Sequence, residues 1–192
     1  MNKQPEITAQ TRQKLIEAFW QIYGEKGIKH TTVGAVAKSA GYNRSTFYEY
    51  FTDIYDLLEQ LEDDLLKGLK AEIAKEFQNG IPKDFQDYSR MCAHIFVPFD
   101  DKLYVLLSSK GDPSFPAKLQ KTVKPLFFSF VGFKGNEEHL DYIITFGFSA
   151  MTGLLSHWYE EGKKLSTEEL FRIMQALIAT GVLGYTGKQL FH

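Results

Sequence analysis

The sequence is poor in the residues that carry covalent or special structural chemistry: 192 residues hold one cysteine, Cys92, two tryptophans and six prolines. A single cysteine excludes an internal disulfide framework and suits a reducing compartment, so a cytoplasmic protein is expected. No apolar run approaches the roughly 20 residues that a membrane-spanning helix requires. Residues 1–10 are polar and lack a signal-peptide core. No membrane partner is therefore expected. Strand-like alternation of apolar and polar residues is missing, as are internal repeats and low-complexity tracts. Charge of one sign is scarce too. With a net charge of −2, the chain as a whole does not look like a nucleic-acid binder.

Catalytic patterns are equally absent. There is no Gly-rich phosphate loop and no nucleophile elbow. Cys92 and His94 stand two residues apart, which on a helix points them to different sides, and no CxxC or HxxxH follows. Asp63-Asp64 and Glu160-Glu161 read as solvated helix faces, and His139 and His157 as surface or core residues. The chain is expected to be no enzyme and to need neither metal nor cofactor.

What is present is helical. Leu15, Ile16, Phe19, Ile22 and Tyr23 recur at helical spacing, and Gly27 supplies a stop, which predicts a first helix near 8–26. Thr31 or Thr32 caps a short second helix that turns Val33, Val36, Ala37 and Ala40 inward. Gly41 ends it, Tyr42 and Asn43 turn the chain, and Asn43 caps a third helix over 44–50. Two short helices joined by a Gly-containing turn have the form of a helix-turn-helix. Asp53 is placed to cap a fourth helix carrying Ile54, Leu57, Leu58, Leu61, Leu65 and Leu69, which runs to about 77 and stops at Asn79-Gly80-Ile81-Pro82. Further helices are predicted near 83–96, 102–109, 114–126, 137–161 and 167–185. Asn136 is a candidate cap, and Ser166 with Glu169 fits a capping box. The fold class is all-α: a three-helix helix-turn-helix domain over 1–52 and a helical regulatory and dimerisation domain over 53–192. Charge follows that division. Through Phe51 seven Lys/Arg face four Asp/Glu, giving +3, while the remainder carries fifteen against twenty, giving −5. A small basic head on an acidic body suits DNA contact by the head alone.

The run Thr31-Thr32-Val33-Gly34-Ala35-Val36-Ala37-Lys38-Ser39-Ala40-Gly41-Tyr42-Asn43-Arg44-Ser45-Thr46-Phe47-Tyr48-Glu49-Tyr50-Phe51 resembles the DNA-binding domain of the TetR family. With Thr11-Arg12 upstream and Asp56-Leu57 downstream, the resemblance covers roughly a third of the chain. Two stretches farther on, 106–115 and 153–162, look like one regulatory-domain subgroup of that family. The resemblance implies a transcriptional regulator that pairs as a homodimer through its last two helices and commonly leaves DNA when a small molecule binds its body. Two positions depart from the family pattern. Asn43-Arg44-Ser45 stands where Ser-x-Gly is frequent, and Ile54 stands where a phosphate-contacting lysine is usual.

A recognition helix must enter the major groove, about 12 Å wide, with polar side chains near its N-terminus. Asn43, Arg44, Ser45 and Tyr48 are expected to face bases or sugars, and Thr32, Lys38, Thr46 and Tyr50 to face phosphates. The resemblance implies such roles for Thr32, Thr46, Tyr48 and Tyr50, whereas Arg44 is placed by its chemistry alone. Tyr48 and Tyr50 could instead be wedges in a small aromatic core, where Phe47 and Phe51 belong. Two-fold related heads would read a near-palindrome in double-stranded DNA. Small residues that permit close helix approach (Gly147, Ala150, Gly153, Ala176, Ala179, Gly184), with Leu154, Trp158, Leu177 and Leu183 for apolar area, are the expected dimer surface; packing within the chain is the alternative. Aromatics are dense after residue 85. Tyr88, Phe96, Tyr104, Phe127 and Phe146 are the expected lining of a pocket for a hydrophobic or aromatic effector, with plain core as the alternative. The expected function is a repressor released from a palindromic operator by that effector. The competing readings are an adaptor or coactivator whose body binds a protein, and an enzyme on a helical bundle, for which no candidate residues are found.

Overall fold

The computed structural model describes residues 5–78, 80, 85–131 and 137–186, with side chains left undescribed at some positions within the helices. These residues form α-helices, two short 3-10 turns and connecting turns, with no strand among them. In chain order the helices are α1 (Pro5–Lys26), α2 (Val33–Ser39), α3 (Arg44–Tyr48), α4 (Ile54–Gln78), α5 (Phe85–Phe96), α6 (Asp100–Leu107), α7 (Phe115–Val131), α8 (Glu137–Glu160) and α9 (Thr167–Thr186). The all-α expectation holds.

The ends of these helices follow from local chemistry. Pro5 takes the first position of α1, where its missing N–H is one the helix would leave unpaired anyway. Ser166 and Glu169 make the predicted capping box: Glu169 donates its backbone N–H to Ser166 Oγ at 3.2 Å, and Ser166 donates its own to Glu169 Oε2 at 3.0 Å. Asp53 Oδ1 accepts from the backbone of Tyr55 and Asp56 at the head of α4. Other ends differ from expectation. Helix α3 stops at Tyr48, one half-turn early, and α7 runs through Pro125 to Val131 instead of ending near 126. A proline forfeits one hydrogen bond, and the apolar residues on either side of it keep the helix going through packing. The Asn136 cap falls outside the described residues.

The core is continuous from head to body. Helix α4 buries Ile54, Leu57, Leu58, Leu61, Leu65, Leu66, Leu69 and Ile73 on one stripe. Those residues share one buried core with Leu15, Phe19 and Phe47 of the head, and α4 packs against α5 and α7 of the body. Helix α1 also packs against α6, and α8 bridges α6, α7 and α9. Because α4 shares the head's core, bonds to Arg12 through Gln60, and ends among the body helices, it links head and body.

Candidate DNA-binding head and regulatory cavity

The head is built by caps. Thr32 Oγ1 accepts from Ala35 N at 3.2 Å and opens α2, while Thr31 is buried with its hydroxyl donated to Gly27 O at 3.0 Å. Of the two threonines, Thr32 is thus the cap and Thr31 a core residue. Helix α2 closes in a Schellman turn: Tyr42 N donates to Ala37 O at 2.8 Å and Gly41 N to Lys38 O at 3.1 Å. Gly41 has φ +80°, which a side chain would strain. Asn43 then caps α3, its Oδ1 accepting from Thr46 N at 2.9 Å, Ser45 Oγ at 2.6 Å and Thr46 Oγ1 at 3.1 Å. One oxygen therefore accepts three hydrogen bonds from two residues expected to meet DNA, Ser45 and Thr46, and holds their hydroxyls in fixed positions on the exposed edge of α3.

Phe47 and Phe51 are 0% and 2% exposed and pack with tilted rings whose centroids are 5.4 Å apart, as expected of core residues. Tyr48 is 57% exposed, so it is no core wedge. Tyr50 is half-buried and packs on the core. Lys38, Asn43, Arg44 and Ser45 are exposed. The Arg44 guanidinium does not project freely from α3. It folds back over the start of α2, so close that a Cβ on Gly34 would lie 2.8 Å from its Nη2. Arg12 ties the head down from the other side, donating to Gln60 Oε1 of α4 at 3.1 Å and lying over the Phe51 ring at 5.4 Å. Ile54, at the position where the family pattern has lysine, is buried in this core.

In the body, a cavity of about 290 Å³ lies between four helices. Its walls are Ile73 and Phe77 of α4, Met91, Cys92, Ile95 and Phe96 of α5, Val123 of α7, and Ile143, Ile144, Gly147, Phe148 and Met151 of α8. Among the described residues no charged side chain lines it. Of the aromatics singled out in the sequence, Phe96 is in this wall. Tyr104 is not: it stands edge-on to Tyr159 at 5.4 Å, beside the Lys163 ammonium. Nor is Phe146, which is 74% exposed and faces outward. The side chains of Tyr88 and Phe127 lie outside the described residues. Sequence reasoning weighted rings and so passed over the aliphatic and methionine residues that make most of the wall; their helical spacing was visible, but it looked the same as core.

A second, shallower groove of about 410 Å³ runs along the outer face of α8 and α9. Gly147, Ala150, Gly153, Leu154 and Leu177 of the expected dimer surface line it, together with Phe146, His157 and Met174. Cβ atoms added at Gly147 or Gly153 would meet nothing, so both open outward. Trp158 is a correction: it is buried against its own chain, its Nε1 donating to Leu165 O at 2.8 Å, because the turn after α8 folds back over it. Ala176 is half-buried, and the side chains of Ala179 and Leu183, with Gly184, lie outside the described residues. Gly147 and Met151 belong to both cavity and groove, so a single helix separates the two. Among the described residues no helix is long and apolar enough to cross a membrane, and no cluster of three or more potential ligands could hold a metal.

Comparisons with known proteins agree with this geometry. Residues 15–61 match the family described as bacterial regulatory proteins, tetR family, and residues 83–180 match the transcriptional regulator C-terminal region. The HTH-type transcriptional regulator AcrR of Shigella flexneri is 31% identical over 52 residues, covering 27% of this chain and 24% of its own length. The chain thus spans only about a quarter of that curated relative. Among solved structures, the fatty acid degradation regulator FadR from Bacillus halodurans superposes with a TM-score of 0.72 at 18% identity, over 95% of this chain and 98% of its own. LfrR from Mycobacterium smegmatis, solved with proflavine, gives 0.56 at 15% identity over 90% and 97%. Thermus thermophilus FadR, solved with lauroyl-CoA, gives 0.51 at 18% identity over 90% and 95%. At such identities these structures speak for the fold. Together with the two family matches, they establish that the chain belongs to the TetR family of transcriptional regulators.

Proposed function

We propose that this regulator binds a near-palindromic operator as a homodimer and represses until an apolar molecule enters the cavity between α4, α5, α7 and α8. The observation that carries the reading is the course of α4, which follows the recognition helix in the chain, packs its first residues into the same core as Phe47, and ends as a wall of the cavity. Residues 1–52 form the DNA-binding unit and 53–192 the effector and dimer unit. Thr32, Lys38, Asn43, Arg44, Ser45, Thr46, Tyr48 and Tyr50 make the DNA interface, with Arg44 swinging off Gly34 to reach a guanine edge. The groove on α8 and α9 is the partner surface, since Phe146, large, apolar and 74% exposed, lines it, and Tyr142 one turn earlier on α8 is exposed too. A wall with no charge among its described residues selects the uncharged part of a ligand. An acyl chain and a flat aromatic fit that requirement, and lauroyl-CoA and proflavine are bound by two proteins of like fold. An effector shifts the operator equilibrium only by its preference for one head separation over another.

The test is selection of bound duplexes from a random pool, with Arg44→Ala beside the wild type, then release of the selected duplex by lauroyl-CoA, dodecanoate and proflavine. A palindrome, relaxed at one position in the variant, with release by at least one compound, is the expected result. Failure to enrich any sequence at moderate salt would sink the reading. A second reading rests on Ile54: a buried isoleucine in place of a phosphate-binding lysine favours an adaptor that shares DNA recognition with a protein partner. Enrichment only in the presence of that partner selects it.

A further inference from the structure

Neither the DNA interface nor the cavity uses a charged cluster where head and body meet, in which one carboxylate is buried and its two partners are part-exposed. Glu62, on α4, is 1% exposed. Its Oε2 accepts from Lys118 Nζ of α7 at 2.6 Å, and its Oε1 has no hydrogen-bond partner. Lys118 Nζ is also 3.5 Å from Asp112 Oδ2, in the turn that leads into α7. Burial of a carboxylate with only one partner is expensive, and apolar residues of like volume would serve stability as well or better. Stability alone does not account for the cluster, whereas a demand for one fixed register does.

The turn holding Asp112 is pinned to the head. Lys110 Nζ donates to Glu25 O, near the end of α1, at 2.9 Å, and the Lys110 carbonyl lies close enough that a Cβ on Gly27 would sit 3.3 Å from it. At Gly111 only glycine fits, since a Cβ would fall 2.2 Å from Leu106 O. Asp112 shapes the turn further by accepting from Ser114 N at 2.8 Å and Ser114 Oγ at 2.6 Å. The same two helices that hold the charges line the cavity: Val123 follows Lys118 on α7 by about one and a half turns, and Ile73 follows Glu62 on α4 by about three.

We propose that Lys118 is a positioning residue that couples the cavity to the head: clamped between Glu62 and Asp112, it makes the start of α7, the 108–114 turn and the end of α1 move as one body. The inference rests on the cavity being the effector site. The Lys118 side chain is 40% exposed, but the carboxylate it meets at 2.6 Å is buried from water, and a contact that short weakens quickly with distance, so it favours one register over its neighbours. A molecule that displaces α7 at Val123 must then either drag the end of α1 with it or break the clamp.

Hydrogen exchange on the full chain tests this without operator DNA. In the ligand-free protein, Lys118→Met should speed exchange over residues 22–34 by about tenfold or more, leave residues 150–160 unchanged, and be rescued by Lys118→Arg. The double variant Glu62→Gln/Lys118→Met removes the buried charge together with its partner and guards against loss of folding; it should show the same local release. Unchanged exchange at 22–34 in both variants overturns the clamp. With 1-decanol as the probe, wild type should respond in α7, α8 and residues 22–34, and the Lys118→Met protein in α7 and α8 alone. A variant that still responds at 22–34 overturns the coupling. If decanol perturbs no part of the wild type, the cavity reading falls, while the ligand-free comparison decides the clamp regardless.

Discussion

Head and body solve opposite problems with the same helices. The head spends its aromatic residues on a closed core: Phe19, Tyr23, Phe47 and Phe51 are buried and touch one another or their neighbours, and every short helix is capped by a nearby side chain. The body leaves a space unfilled between α4, α5, α7 and α8, and leaves Tyr142, Ile143 and Phe146 of α8 uncovered. A DNA reader must present atoms at fixed positions, which close packing provides. A sensor must have somewhere for a ligand to go and a surface for a partner. The difference shows in how each region responds to lost volume.

The largest contrast should appear on truncating side chains. Phe47→Ala empties a filled site and is expected to cost about 3–5 kcal/mol in a urea titration, enough to unfold the head. Ile144→Ala enlarges a space that already exists and should cost about 1 kcal/mol. Equal losses would mean that the cavity wall is packed as tightly as the head. Next in size, Arg44→Ala and Tyr48→Ala should each weaken the selected operator by roughly ten- to a hundredfold, with the melting temperature unmoved because both side chains are exposed. A fall in melting temperature would place either residue in the architecture of the head and not at DNA. Smaller again are the caps. Thr32→Ala removes the bond to Ala35 N, and Ser166→Ala the bond to Glu169 N; each should cost about 1 kcal/mol. Loss of operator affinity beyond that for Thr32 alone separates a DNA contact from a cap.

The smallest effect concerns pH. Burial raises the hydroxyl pKa of Tyr23, with Glu62 and Asp112 adding to it, and burial with Asp100 does the same for Tyr159. Both folded values lie above the unfolded one of about 10. The folded protein therefore binds more protons than the unfolded chain as pH rises past 10, and stability present below that pH is lost above it. Tyr23→Phe should blunt the alkaline fall where head meets body, and Tyr159→Phe the fall within the body. Measuring urea midpoints of both variants near pH 8 and pH 10.5 checks this, and an unblunted fall in both would show that other groups govern it.

Much of this protein was legible before any coordinates, and the legible parts share a cause. Asn43, Asp53 and Ser166 could be read as caps, Thr32 as one of two candidates with Thr31, and Gly41 as the turn, because each acts on backbone within four residues of itself. Phe47 and the leucines of α4 declared themselves by helical period. By itself the sequence therefore determined the all-α class, the helix-turn-helix and the order of the helices. Tertiary structure decided the rest. It folded Arg44 over Gly34, turned Trp158 into its own chain, moved Phe146 from an expected pocket to an outer face, and built the cavity largely from aliphatic residues of four helices. It also brought Glu62 to Lys118 across 56 positions of sequence. A cavity wall and a core face have the same periodicity, and a buried charge shows no local sign of its partner. Only the mutual placement of distant helices tells them apart.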